Sequence, residues 1–183
     1  GIVYYIAKPG DPIYIDGEVH GLITSKAWET MQEGPITVRK NEYSQWYDSN
    51  PESRSNEIGS GYKNTMDQFL LQADQKSNAE IKNQDTYRYS AISVCYFLEM
   101  GGYDDWYLPT FQELLYAHSN LFLEHIYFSG IELWSSIYIG DEAFKLKLSY
   151  GGGHNRASYE KVEKNLHLGQ VRALPFRTVG TIY

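Results

Sequence analysis

Two adjacent carboxylates, Asp104 and Asp105, and five histidines, His20, His118, His125, His154 and His167, are the residues of this 183-residue chain whose types could support acid–base or metal chemistry. Paired carboxylates bind calcium when further oxygen ligands stand at fixed spacing, and they exchange protons when a substrate sits between them. No third ligand accompanies Asp104 and Asp105 in such a pattern, and an Asp beside a helix stop serves as a turn and capping residue. The histidines lack the i, i+4 spacing of a helical metal site. His118 and His125 could share a face, but no Cys or Glu stands with them in pattern. Cys95 is the single cysteine, so no intrachain disulfide can form, and its place on an apolar helical face reads as a small core residue rather than a nucleophile. There is no Walker motif, serine elbow or dinucleotide fingerprint, and Gly151-Gly152-Gly153 is flanked by strand patterns instead of a helix. The residues therefore assign no catalytic group, no metal and no cofactor.

Contact chemistry is better represented. Between Tyr138 and Asn165 the chain mixes aromatic and hydrogen-bonding residues around a glycine turn with little apolar patterning. Tyr138, Tyr150, His154, Asn155, Arg156 and Tyr159 are the candidate ligand-binding residues, because aromatic anchors with Arg and Asn donors are what protein and glycan contact surfaces use. A solvated hairpin with no partner is the competing reading of the same segment. Seventeen tyrosines and four tryptophans exceed what a core needs, and both types suit wet interfaces; half-buried strand positions would also account for many of them. A net charge of −7 argues against nucleic acid or an anionic membrane surface as the main partner. Lys145, Lys147, Arg156, Lys161 and Lys164 nevertheless form a local basic cluster that a sulfated glycan could use.

The positioning elements follow from pattern. A chain of this length is one domain, residues 1–183, with a core large enough to need no staples. Ile2 to Ile6 and His20 to Thr24 read as strands, the first closed by Pro9, Gly10, Asp11 and Pro12. Residues 28–60 lack periodicity and read as a long irregular insertion, with one strand around Ile36 to Arg39 and with Trp46-Tyr47 as either a loop anchor or an exposed binding element. Asn64 or Thr65 is expected to cap a helix running to about Gln75, with Met66, Phe69, Leu70 and Ala73 on its buried face. After a polar stretch, Lys76 to Thr86, a second helix is expected from Tyr89 to Met100, stopped by Gly101. Trp106-Tyr107-Leu108 supplies a short buried run, Pro109 enforces an extended residue before it, and Thr110 with Glu113 makes a capping box for a third helix to about Asn120. Strands are then expected at Ser135 to Tyr138, Ala143 to Ser149, Tyr159 to Val162 and Gly169 to Phe176. In the second of these, Phe144, Leu146 and Leu148 alternate with Lys145, Lys147 and Ser149. Helices in mid-chain with strands at both ends make an α+β plan with two to three helices and mostly antiparallel sheets.

Six segments recur in one order: Gly1-Ile2-Val3-Tyr4-Tyr5-Ile6 with Lys8-Pro9-Gly10-Asp11-Pro12, His20-Gly21-Leu22-Ile23, Gly59-Ser60-Gly61-Tyr62-Lys63-Asn64-Thr65, the run Gly101 to Leu115, Leu133-Trp134-Ser135-Ser136, and Gln170 to Phe176. In that order and at those intervals the chain resembles the Lcl C-terminal domain family of bacterial and phage surface proteins, named after a collagen-like adhesin. The resemblance implies a C-type-lectin-like fold whose N- and C-terminal strands pair. It also implies an extracellular or cell-surface, non-enzymatic, adhesin-type domain that grips a host or bacterial surface protein or glycan through its C-terminal sheet and loops. Two alternatives accompany it: an oligomerisation module of a fibrous surface or phage protein, which would make the domain a homo-oligomer, and a variable protein diversified by a retroelement. The Glu-Pro-Asn or Gln-Pro-Asp triplet and Trp-Asn-Asp partner of calcium-dependent lectins are missing, which argues against calcium-mediated sugar binding. No run is apolar and long enough to insert into a membrane. Because the chain opens directly on a strand, any export signal, lipid anchor or stalk is expected upstream of Gly1.

Overall fold

The computed structural model describes residues 2–24, 36–37, 55–73, 91–122, 131–139, 142–151, 154–163 and 172–180. Trp46-Tyr47, the Lys76 to Thr86 stretch, His125, Lys164 and His167 lie outside them. The fold is α+β. In chain order the elements are β1 (Ile2–Ile6), β2 (Gly21–Thr24), β3 (Ile36–Thr37), α1 (Gly61–Ala73), α2 (Ala91–Tyr96), α3 (Phe111–Ala117) continued by a π-helical turn (His118–Phe122), β4 (Ile131–Ile139), β5 (Glu142–Gly151), β6 (His154–Glu163), β7 (Arg172–Ala173) and β8 (Phe176–Val179). They form a three-stranded sheet, β1-β2-β8, and a five-stranded sheet, β3-β7-β4-β5-β6. All pairings are antiparallel except β4 with β7.

The first and last strands share a sheet but do not pair, which corrects the expected terminal pairing. β2 lies between them, matching Ile2↔Thr24 on one side and Thr24↔Phe176 on the other. The outer edge of β1 meets the π-helical turn instead, where Asn120 Nδ2 donates to the Tyr4 carbonyl at 2.7 Å. The expected strand Gly169 to Phe176 is also two strands. Arg172–Ala173 belongs to the five-stranded sheet and Phe176–Val179 to the three-stranded one. Pro175, which has no N–H to offer a ladder, marks the change of sheet.

The five-stranded sheet buries both faces. Leu133, Leu146 and Leu148 join Tyr4, Leu22, Tyr107, Leu114 and Phe176 in one cluster, so α3 and the smaller sheet cover that side. Trp134, Tyr138, Ala143 and Val162 join Phe69, Ile92, Cys95 and Leu108 in the other, under α1 and α2. Strand alternation explains the division, since Leu133 pairs with Leu146 on one face and Trp134 with Lys145 on the next.

α1 buries Phe69 as expected, but most of its buried face is polar. It begins at Gly61, so Asn64 and Thr65 stand inside it; over residues 61–70 the buried positions are Gly61, Asn64, Thr65, Gln68 and Phe69, while Leu70 is exposed. That stripe has helical spacing, but three of its five residues are polar. Each finds a partner at Ser136 or Leu108: Asn64 Nδ2 donates to Ser136 Oγ at 3.2 Å, Gln68 Nε2 to the Ser136 carbonyl at 2.9 Å, and the Leu108 N–H to Thr65 Oγ1 at 3.0 Å. The β4–β5 register is irregular between Trp134 and Tyr138, and this frees the Ser136 backbone from the ladder to receive the helix. α2 ends at Tyr96, before the expected Met100. Gly101 and Gly102 both have positive φ and close a two-residue turn between bridged Met100 and Tyr103, so they are turn residues and not a helix cap.

The run 106–113 joins these parts. Tyr107 exchanges backbone hydrogen bonds with Phe176 at 2.8 and 2.9 Å, the Ser136 N–H donates to the Pro109 carbonyl at 2.7 Å, and Thr110 with Glu113 forms the expected capping box. Glu113 is fully buried. Its Oε2 accepts the Thr110 N–H at 2.7 Å, and its Oε1 accepts the Gly59 N–H at 2.7 Å and the Tyr107 hydroxyl at 3.4 Å. Burial pushes this carboxyl up to about 7, although the N–H groups of Thr110, Gly59 and Gly61 and the Tyr107 hydroxyl pull the other way. Tyr4 and Tyr107 face it, and burial lifts both phenols further above their ordinary value, so only Glu113 titrates near neutrality. A raised carboxyl means the folded state holds a proton that the unfolded chain releases near 4.5. Stability from this group is therefore complete below that pH and is lost as pH rises to about 7, by on the order of 3 kcal/mol. Urea titrations at pH 5 and 8 should show the loss in the native chain, and Glu113→Gln should remove it.

Candidate ligand-contact face

β5 and β6 form a ribbon of ten matched positions, from Glu142↔Glu163 to Gly151↔His154. β4 ends its match with β5 at Ile131↔Leu148, so the three outermost pairs of the ribbon extend beyond it. Two-residue alternation gives the ribbon two chemically different faces. One carries the positions of Phe144, Leu146, Leu148 and Tyr150 on β5, matched by Lys161, Tyr159, Ala157 and Asn155 on β6. The other carries Lys145, Lys147 and Ser149, matched by Glu160, Ser158 and Arg156, with His154 at the end.

The first face is aromatic over an apolar floor. Its Leu146 and Leu148 are buried under α3 and the smaller sheet, whereas Tyr159, at the margin of the same face, is 63% exposed. The Tyr159 ring rests edge-on against Phe111 at the start of α3, with centroids 5.7 Å apart and planes at 76°. That contact orients the ring and leaves most of its surface open to a ligand. Lys161 closes this side, pairing with Glu142 at 3.0 Å and lying over the Phe144 ring at 5.4 Å.

The second face is a charge lattice. Lys145, only 2% exposed, sits between Glu132 at 2.8 Å and Glu160 at 3.1 Å, and Lys147 reaches the other Glu132 oxygen at 3.8 Å. Burial of an ammonium is tolerated here because two carboxylates neutralise it. This arrangement draws Lys145 out of solvent, although it alternates along β5 with the leucines just as the exposed Lys147 does. It also weakens the basic-cluster reading, since Lys145, Lys147 and Lys161 each already have a carboxylate partner.

The six candidate contact residues are thus not one site. Tyr159 and the positions of Tyr150 and Asn155 share the aromatic face; Arg156 and the position of His154 fall on the lattice face. Tyr138 is 5% exposed and packs with Trp134, Ala143 and Val162, so it belongs to the core. Phe111 was missed because nothing in its neighbourhood of the sequence points to β6. The Tyr159 match to Leu146 across strands is the relation that brings it there.

The groups singled out for possible chemistry are placed structurally. Asp105 accepts from Arg177 Nε of β8, and the Arg177 guanidinium lies 3.7 Å from the Tyr103 ring centroid, so this carboxylate ties the Gly101-Gly102 turn to the smaller sheet. Asp104 is exposed beside it. His20 lies 2.7 Å from Glu18, and His118 ends α3, its ring held below the usual histidine range by burial. Cys95 is fully buried, and burial pushes its thiol up, away from the thiolate form a nucleophile needs. Among the described residues, no three His, Cys, Asp or Glu side chains are placed to share a metal ion, and no helix is long and apolar enough to cross a membrane. Comparison with protein-family models, curated proteins and solved structures returns no match to this chain.

Proposed function

We propose that this is a non-enzymatic ligand-binding domain of the adhesin type, displayed outside the cell, that recognises a surface protein or glycan through the aromatic face of the β5–β6 ribbon. The observation that carries the reading is Tyr159, a large ring left 63% exposed on a terminal strand and oriented by Phe111. An ordered aromatic side chain supplies contact area at low entropy cost, which is how tyrosine-rich surfaces bind. The resemblance to the Lcl C-terminal domain family, and the C-type-lectin-like arrangement that goes with it, support the same reading. That resemblance implies a contact surface in the C-terminal sheet.

Binding of the isolated domain to an array of host glycans and to immobilised surface proteins tests this. Tyr159→Ala should weaken the interaction at least about tenfold, the scale of losing one well-placed aromatic anchor. Lys147→Ala, on the opposite face, should leave affinity unchanged. Equal losses in both variants, or none in either, would remove the aromatic face from the proposal.

A further inference from the structure

β6 is the last strand of the five-stranded sheet, and among the described residues no strand lies beyond it. An edge of ten residues with unpaired backbone groups is a template for another strand unless something discourages it. Arg156, Ser158, Tyr159, Glu160 and Lys161 are all exposed along this edge. No proline interrupts it.

The order of these residues is self-complementary. When a strand pairs antiparallel with its own copy about a two-fold axis normal to the sheet, residues equidistant from the axis face one another on the same side. With the axis at Ser158, Arg156 of each copy stands opposite Glu160 of the other, so two ion pairs form across the join. Ala157 then stands opposite Tyr159, a small residue against a large one, again twice. Moving the axis to Ala157 sets Arg156 against Ser158, and moving it to Tyr159 sets Arg156 against Val162; neither pairs the charges. Among the described residues Arg156 has no ion-pair partner within the chain, and Glu160 uses one oxygen, Oε2, on Lys145 at 3.1 Å. Both charges therefore remain available at the edge.

We infer that the outer edge of β6 joins a second copy of this chain in antiparallel register centred on Ser158, making the two ribbons one continuous sheet. The join uses the strand edge, with the Arg156–Glu160 ion pairs on the charge-lattice face and the Ala157–Tyr159 pairs on the other. Because the axis is normal to the sheet, both Tyr159 faces end on the same side, so the dimer would present the proposed contact surface twice. Edge pairing alone covers much less than the roughly 1,600 Å² of a standard interface, so the association is weak and concentration-dependent in the isolated domain.

Ser158→Cys tests the register directly, since the axis passes beside this residue and identical thiols meet there. Cys95 is buried and does not compete. With oxidised glutathione as the oxidant, Ser158→Cys should give a disulfide-linked dimer at high protein concentration, while Lys161→Cys should not. Adding Arg156→Glu, which sets like charges opposite at both ion pairs, should reduce the dimer about tenfold, and the double exchange Arg156→Glu with Glu160→Arg should restore it. Sedimentation of the unmodified domain should show the same order. A monomer at every concentration, equal cross-linking at positions 158 and 161, or a yield indifferent to Arg156→Glu would each overturn the inference. The Arg156→Glu monomer should still bind ligand through Tyr159, so failure of the join and failure of the contact face are separate results.

Discussion

Glu113→Ala should lower the unfolding free energy by about 3–5 kcal/mol, read from urea titration at neutral pH. Three backbone donors, on Gly59, Gly61 and Thr110, converge on this one carboxyl. Alanine leaves them buried with no acceptor, and it also removes the capping box that starts α3. The carboxyl is costly to bury, as its raised proton affinity shows, yet the backbone N–H groups of Thr110 and Gly59 both point at it from 2.7 Å. Breaking one side of a buried polar arrangement is expensive for that reason, even where the intact arrangement stabilises little. A domain of ordinary stability would be left marginal. Loss of less than about 1 kcal/mol would mean that water or local rearrangement satisfies the three donors, and the hub would not be the joint described above.

Gly61→Ala should reverse the usual sign of such a change. In an exposed helix interior, glycine to alanine stabilises by up to about 1 kcal/mol, and Gly61 has no positive φ to protect. Its missing side chain is instead room for the hub. A Cβ there would stand 2.6 Å from Tyr107 Cε2 and press on Glu113 Oε2. Tyr107 is fully buried between the two sheets and cannot yield without moving Phe176. Destabilisation of about 1–3 kcal/mol is expected, the range for overpacking a tight core. The effect should be coupled to the first: in a Glu113→Ala background, Gly61→Ala should cost less, because one of the two obstructions is gone. Additive losses in the double-mutant cycle would show that Gly61 and Glu113 act through separate contacts.

Legibility in the sequence followed the range of the interactions. The Thr110 and Glu113 capping box was plain because its donors and acceptors lie three residues apart. β1, β2 and β5 were plain for a similar reason, since β-branched runs and alternation are properties of the segment itself. The buried polar face of α1 was hidden because Asn64 and Gln68 find their partners at Ser136, about seventy residues on. Helical periodicity of apolar residues pointed to Met66, Phe69, Leu70 and Ala73; of these Phe69 is buried, whereas Leu70 is exposed. Gly101 fitted a helix stop equally well as a turn, and only the Met100 to Tyr103 bridge distinguishes them. Lys145 and Lys147 alternate alike along β5, and only the fold brings Glu132 and Glu160 to either side of Lys145.

By itself, then, the sequence determined the α+β class, the aromatic-rich composition and acidic net charge, the capping box, and most of the strands and helices. Those properties depend on composition and on neighbours within a turn or a strand. Only the tertiary structure decided that β2 separates the terminal strands, that Glu113 is buried as a shared acceptor, that Tyr138 is core, and that Tyr159 and Arg156 serve opposite faces. Each of those depends on which distant backbone is paired and in which register. A shift of one residue in pairing moves every side chain of a strand to the other face, and no local pattern specifies that choice.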